Sequence, residues 1–451
     1  MSNFRPIDRA TPYLLPPSVE DWLPKDHLAR FVVDIVDQLD LSALTRRYRG
    51  SGSVAYHPAV MLGLLIYGYA TGVYASRRIE AATHESIAFR YIAANTYPDH
   101  DSLCTFRRRF LKEIEALFVQ VLCIARQMKL LKLGTIALDG TKIHANASRH
   151  SALSYGHAQK IEAQLEAEVK ELLARAEAAD CEPLPKGMSI PEELARREDR
   201  LAAIRQAKAQ IEVHAAERDA REKADFDAKM KAREDKTART GKKPGGKPPE
   251  PPCPGVRPTD QINLTDEDSR IMPVTGKGFE QSYNAQAAVD TESMLVVATD
   301  IAQVANDKQQ VVPMLEALGE LPDELGRVKR LLADNGYFSA ANVERCVVAK
   351  IEPLLAAGRE AHHPHWEDRF TEPAPLSEPA SALERMKHRL KTRRGRKLYG
   401  LRKQTVEPVF GIIKSVMRFR QFLLRGLAGA QGEWTLVTMA WNIKRMAIMT
   451  G

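Results

Sequence analysis

The sequence predicts a mixed α/β fold, with an all-helical N-terminal domain ahead of a sheet-based core and a helical insertion that interrupts that core. Three observations predict it. Apolar residues recur at helical spacing through the first 130 positions. Short strand-like runs follow one another after residue 259 and then alternate with helical stretches. Between these regions an Ala/Glu/Lys/Arg-rich tract separates one isolated strand from the others. The 451 residues, 44% of them hydrophobic, are enough for about two to four domains with a substantial core.

Residues 1–130 form the helical N-terminal domain. LARFVVDIVDQL places Leu28, Phe31, Val32, Ile35, Val36 and Leu39 on one face, and FLKEIEALFVQVLCIARQM repeats the pattern. Pro58 suits the first turn of a helix over Ala59–Tyr69. Asp101 and Ser102 are expected to cap a helix through DSLCTFRRRFLKEI, whose consecutive Arg107, Arg108 and Arg109 fan around its axis. GTIALDGTKIHA then reads as a strand that ends in a turn.

Residues 151–240 read as a helical hairpin or coiled-coil insertion. Ile161, Leu165, Val169 and Leu172 make one apolar stripe; Leu194, Leu201, Ile204, Ile211 and Ala215 make another, with Lys208 where an apolar residue is expected. The loop CEPLPKGMSIP separates them. Residues 241–258 are Pro/Gly/Lys-rich and are expected to be a flexible linker.

Residues 131–150 and 259–451 together make the α/β core. SRIMPV, QSYNAQAAVD and MLVVATDIAQ suggest an antiparallel meander. A helix (KQQVVPMLEALGEL), a strand (VKRLLAD), a helix (SAANVERCVVAK) and a strand (IEPLLAA) follow. After a polar stretch with His362, His363, His365 and Trp366, helices cover Leu401–Arg418 and Glu433–Met446; in the last, Trp434, Val437, Trp441 and Met446 read as core packing.

The net charge of +8 points to a polyanionic partner, and its distribution sharpens the point: Ser381–Arg425 holds fourteen Lys or Arg against two Glu. The five scattered cysteines show no CxxC or Cys/His spacing, which speaks against a zinc site or a disulfide framework and fits a cytoplasmic protein. No apolar signal region precedes residue 25, and Ala59–Ser76, with three glycines and three tyrosines, reads as a buried helix rather than a membrane span.

Three carboxylates stand where chemistry could use them. Asp139 ends the first strand in ALDGTKI, with Gly140 as a turn residue. Asp334 ends a second apolar strand in RLLADNGY, and Glu407 lies near the start of the helix around VEPVFGIIK. Taken singly, each has an ordinary explanation as a turn residue or a solvated helix face. Together they form an all-oxygen set suited to two Mg²⁺ or Mn²⁺ ions about 3.5–4 Å apart, the arrangement used for in-line phosphoryl transfer. Glu407 and Lys414 share a helix face, with Tyr399 and Arg402 just upstream; a positive charge there suits a phosphate backbone, and a surface ion pair is the plain alternative.

DGTKIHANAS, ADNGYFS and Y-x2-R-x4-E-P-x-F-G-x2-K resemble the three signature blocks of bacterial insertion-sequence transposases of the DDE superfamily, and they occur in the family's order. PDHDSLCTFRRRF, YNAQAAVD and ANDKQQ are similar to that group as well. The resemblance spans the chain except for residues 151–258. It implies a ribonuclease-H-like core with Asp139 on the first strand, Asp334 after the fourth and Glu407 on a later helix, all three binding metal. It also implies that Tyr399, Arg402 and Lys414 engage DNA at the transposon ends; Lys403 and Arg418 of the same basic stretch are further candidates for contact with the double-stranded DNA of ends and target. The family arginine precedes the glutamate with three residues between; here Lys403 has that spacing and Arg402 leaves four, so either can fill the role. Pro408 directly after Glu407 implies a helix that starts or kinks there.

The resulting expectation is a DNA transposase that cleaves inverted-repeat ends with Mg²⁺ (or Mn²⁺) and joins the 3′-hydroxyl to target DNA. It is expected to act as a homodimer on DNA, in the bacterial cytoplasm and at the nucleoid. Three alternatives stand beside it: a catalytically inactive or repurposed DNA-binding protein, a ribonuclease-H-like nuclease without strand transfer, and a structural helical adaptor suggested by residues 151–240.

Overall fold

A computed structural model describes residues 18–48, 55–178, 189–241, 245, 247–274, 276, 278–358, 371–377 and 379–451. The chain divides into two compact units, one of Met1–Ala145, Met272–Gly278 and Ser282–Gly451, the other of Asn146–Ile271 and Phe279–Gln281. His362, His363, His365, Trp366 and the CEPLPKG part of the insertion loop lie outside the described residues.

The first unit begins with helices, as the periodicity predicts. Leu28–Val36 buries Ala29, Val32, Ile35 and Val36, a single stripe at helical spacing. Pro58–Thr71 is apolar all round and buries every residue from Met61 to Ala70. It closes at Gly72, whose φ of +80° a glycine adopts without strain, and the next helix, Ser76–Glu85, leaves at 96°. No single helix among the described residues is long and apolar enough to cross a membrane.

The segment DSLCTFRRRFLKEI is not one helix. His100–Arg109 and Leu111–Gln127 meet at Phe110, which leaves helical geometry at φ −113°, ψ 22°. The cap is Asp99, upstream of the expected Asp101 and Ser102: its backbone is extended and its carboxylate accepts from the Ser102 amide at 2.7 Å. Of the three arginines Arg107 is buried, while Arg108 and Arg109 are exposed.

The strands are β1 (Leu133–His144), β2 (Ala152–Ser154), β3 (Gln261–Asn263), β4 (Arg270–Pro273), β5 (Phe279–Asp290), β6 (Val296–Ala302), β7 (Gly326–Ala333) and β8 (Glu352–Leu355). The main sheet runs β4-β5-β1-β7-β8, with β6 also paired to β5. β1 is antiparallel to β5 and parallel to β7, and β7 is parallel to β8, so the sheet is mixed. Being central, β1 carries the fully buried run Ile136-Ala137-Leu138, an unbroken apolar stretch as expected of a strand covered on both faces.

The last helix, Leu427–Thr450, forms the spine of this unit. Trp434, Val437, Trp441 and Met446 are buried, as core packing predicts. Its polar groups tie it to the sheet. The Trp434 indole donates to the Gln286 carbonyl at 2.9 Å, and the Asn442 amide bonds both the N–H and the C=O of Val296 at 2.8 and 2.7 Å.

The second unit holds the insertion. Tyr155–Ala178 and Ile190–Thr240 pack around Leu165, Leu201, Ile204, Ala207 and Ile211, joined by Leu153 and Ile262 of β2 and β3. Lys208, the irregular residue of the seam, donates to Glu162 and sits 5.5 Å over the Tyr155 ring. Part of the Pro-rich tract is tied to the long helix: Arg218 makes two bonds to Asp260 at 2.7 and 2.8 Å and a third to the Gly255 carbonyl at 2.7 Å.

Candidate active site

The site forms where β7 stops and β1 continues. β7 pairs with β1 only as far as Ala333 opposite Leu138, so Asp334 leaves the sheet beside Asp139. Asp334 then caps a short 3-10 turn over Asn335–Tyr337, accepting from the Gly336 amide at 2.8 Å. Asn335-Gly336 is thus a turn, as the sequence signals.

Asp139 does not end its strand. β1 runs on through Gly140 to His144, paired residue by residue with β5, and Gly140 lies opposite Gln286. Glycine is required at this position for space rather than for turning. A methyl group there would strike the Gln286 amide and come within 2.8 Å of both Asn284 Oδ1 and Asp307 Oδ1.

Glu407 comes from the helix Arg393–Ser415. Thr392 caps it by accepting from Gly395 at 3.0 Å, and Arg402, Val406, Val409 and Ile413 recur at helical spacing on its buried face. The helix neither starts nor ends at Glu407: Pro408, which has no N–H to offer the Gln404 carbonyl, lies inside it, and both residues are exposed.

Arg402 joins two of the three carboxylates. Its Nη1 donates to Asp139 Oδ2 at 2.9 Å and its Nη2 to Glu407 Oε1 at 3.3 Å, with the arginine side chain only 10% exposed. Lys403, which has the family spacing, is exposed instead. Burial pushes the Asp139 carboxyl up to about 6; the Arg402 guanidinium and the Gly140 N–H oppose the rise, and the nearby charges of Asp334 and Asp307 add to it. For Arg402 burial works against the charge, yet Asp139, Tyr399, Asp334 and Glu407 around it hold the guanidinium above its ordinary value.

Lys414 also turns inward. Its ammonium donates to the Thr141 hydroxyl and, at 2.9 Å, to the Lys142 carbonyl, on the stretch of β1 that β7 no longer covers. Burial, then the charges of Arg420 and Lys142, keep it below the usual lysine range. Tyr399 is half-buried on the same helix as Arg402. Arg418, just past the helix, is exposed at φ +59°, and its carbonyl accepts from Tyr74 at 2.9 Å.

Sequence reasoning passed over one acidic neighbour. Asp307 begins the 3-10 turn after β6. Its Oδ1 accepts from Asn284 Nδ2 at 2.7 Å and Gln286 Nε2 at 2.9 Å, and Lys142 Nζ stands 3.9 Å away. The Tyr337 hydroxyl donates to the other end of the Gln286 amide. The signal in the sequence was the pair Asn284 and Gln286, two polar residues on one face of a strand whose apolar neighbours mark it as buried.

The oxygen donors suit a hard divalent ion, but their placement does not yet gather them around one. Among the described residues no three His, Cys, Asp or Glu side chains stand close enough to hold an ion. Between Asp139 and Glu407 the cation in place is a guanidinium.

Residues 17–109 match the family described as Transposase domain (DUF772), and residues 254–443 match the Transposase DDE domain. The second match includes Asp334, Arg402, Glu407 and Lys414; Asp139 lies outside both. No curated protein and no solved structure matches the chain. With the two transposase domains in succession over more than half its length, the chain belongs to the DDE transposases of the insertion-sequence kind.

Proposed function

We propose that this transposase cleaves DNA at inverted-repeat ends and transfers the freed 3′-hydroxyl into target DNA, with Asp139, Asp334 and Glu407 as its catalytic carboxylates. The observation that carries the reading is that Asp139 of β1 and Glu407 of a distant helix meet on one guanidinium, with Asp334 beside them, in a chain whose 254–443 segment matches a transposase DDE domain. The strand order supports a ribonuclease-H-like core: three antiparallel strands, β6, β5 and β1, are followed laterally by the parallel β7 and β8.

DDE transposases act with divalent metal ions, and Mg²⁺, with Mn²⁺ as substitute, is the ion proposed here. The carboxylates would supply its hard oxygen donors. In this reading Lys403 and Arg418, both exposed, would meet DNA phosphates from solvent, and Lys414, Arg402 and Tyr399 would meet them from within the site. A homodimer on DNA is proposed because two ends must be joined in one event.

The test uses a plasmid that carries the gene with its native flanking DNA, purified protein and Mg²⁺, and scores excised or joined product. Product from the wild type and none from Asp139→Asn or Glu407→Gln supports the reading. Equal product from the variants overturns the site, and specific DNA binding without cleavage in either Mg²⁺ or Mn²⁺ indicates an inactive DNA-binding protein.

A further inference from the structure

The guanidinium of Arg402 occupies the space that an ion shared by Asp139 and Glu407 would need. Its two arms end on different carboxylates, 2.9 Å from Asp139 and 3.3 Å from Glu407. The Asp139 oxygen, at charge-assisted distance and largely buried, is committed to this bond and is a poor ligand for a second cation, while the longer contact to the more exposed Glu407 is the weaker of the two. Helix geometry alone does not produce this contact. Residues five apart are rotated by roughly 140° about the axis, well off the i, i+4 face. Asp139 is what draws the side chain round.

The arginine is also held imperfectly. Arg402 is 8% exposed overall, and its Nε is buried with no hydrogen-bond partner among the described residues. A buried donor left unpaired is costly, so the inward position persists because the acids need a counter-charge. Asp307 adds a further negative charge, felt by Asp139 together with that of Asp334. An acid-rich pocket without an ion therefore supplies its own cation.

We propose that Arg402 is an internal counter-cation that competes with the divalent ion for Asp139 and Glu407 and is drawn off by a DNA phosphate, so that ion binding and DNA binding reinforce each other through this one side chain. The proposal rests on the carboxylate reading given above. A guanidinium fork matches a phosphodiester as well as it matches two carboxylates, so DNA offers Arg402 an equivalent partner while the ion takes over the acids. Linkage makes the effect reciprocal: whatever factor DNA adds to ion affinity, the ion adds to DNA affinity.

The experiment is calorimetric titration of the full chain with Mn²⁺, with and without a short DNA duplex at low salt. Wild type, Arg402→Gln, Arg402→Lys and Asp139→Asn are compared, each after its melting temperature has been checked. Without DNA, Arg402→Gln should bind Mn²⁺ about tenfold more tightly than wild type, within the usual range of coupling factors. Duplex should tighten Mn²⁺ binding to wild type and leave Arg402→Gln unchanged. Arg402→Lys keeps the charge but cannot span both acids, and should fall between the two. Mn²⁺ binding by Arg402→Gln that equals or is weaker than wild type overturns the proposal. If that variant does not fold, wild-type affinity in Arg402→Lys does the same. Wild-type Mn²⁺ affinity in Asp139→Asn is a separate failure, that of the carboxylate site itself. A wild type that takes up no Mn²⁺ with duplex present overturns both.

Discussion

Arg107 Nη1 stands 3.9 Å from Glu433 Oε1, and the Tyr69 hydroxyl lies between them, accepting from the arginine at 3.0 Å and donating to the glutamate. Arg107 belongs to an N-terminal helix and Glu433 to the last one, and the glutamate is fully buried. Its second oxygen accepts the Leu423 and Leu424 amides at 2.8 and 3.0 Å. Glu433 thus satisfies the backbone of one loop and the charge of a distant helix at once.

Replacing Glu433 by Ala removes the counter-charge of the buried Arg107 guanidinium and the acceptor used by the Tyr69 hydroxyl and the Leu423 and Leu424 amides. The expected loss is about 3–5 kcal/mol in denaturant unfolding. Glu433→Gln keeps an acceptor oxygen and should lose less. A loss under about 1 kcal/mol for the Ala variant would mean that Arg107 finds another partner.

Gly140→Ala should destabilise the first unit by about 1–3 kcal/mol, because the added methyl meets Gln286, Asn284 and Asp307 at once. The variant separates spatial need from turn formation, since φ at Gly140 is not in the left-handed region. Unchanged stability would mean that the three side chains can move aside.

Asp307→Ala removes the acceptor of the buried Gln286 Nε2 and one of the two acceptors of the buried Asn284 Nδ2, which keeps the Val304 carbonyl. About 1–3 kcal/mol is expected for each group left unsatisfied, read from urea midpoints at constant slope. Because Gln286 also receives the Tyr337 hydroxyl, the turn after Asp334 should loosen, with faster amide exchange at Gly336 as its signature.

In the presence of a chelator, stability should fall as pH rises. The folded-state value for Asp139 is about 6 against an ordinary 3.8, so folding favours the protonated acid. That contribution is fully present below 3.8 and is lost as pH climbs through about 6. Its size is about 2–3 kcal/mol. Urea unfolding at several pH values should show this slope in wild type and not in Asp139→Asn; parallel curves would count against the buried, ion-free carboxylate.

Period and punctuation made most of the fold legible. The meander, the alternating second half and both insertion stripes are visible as apolar spacing, and Asn335-Gly336 marks the turn at Asp334. What eluded the sequence depends on through-space neighbours. Asp139-Gly140 has the look of a strand end, yet the glycine answers to side chains of β5. DSLCTFRRRFLKEI has unbroken periodicity across Phe110, so the break in helical geometry there leaves no trace in the pattern. Arg402 counts as a surface base in any one-dimensional reading, because its partner Asp139 is remote in the chain.

The β1–β5 register extends to His144 opposite Ser282, so the chain departs from one strand and returns to its neighbour at adjacent points. In topological terms the whole of residues 145–281 is the loop of a single β-hairpin, grown by more than a hundred residues. Long loops add little closure entropy for each residue gained, so the hairpin bears this growth at small cost. The join is consequently a natural seam for engineering. Cutting there and closing with a two-residue Asn-Gly turn removes the edge strand β4 together with the inserted helices, and should preserve the β1–β5 pairing and the placement of Asp139.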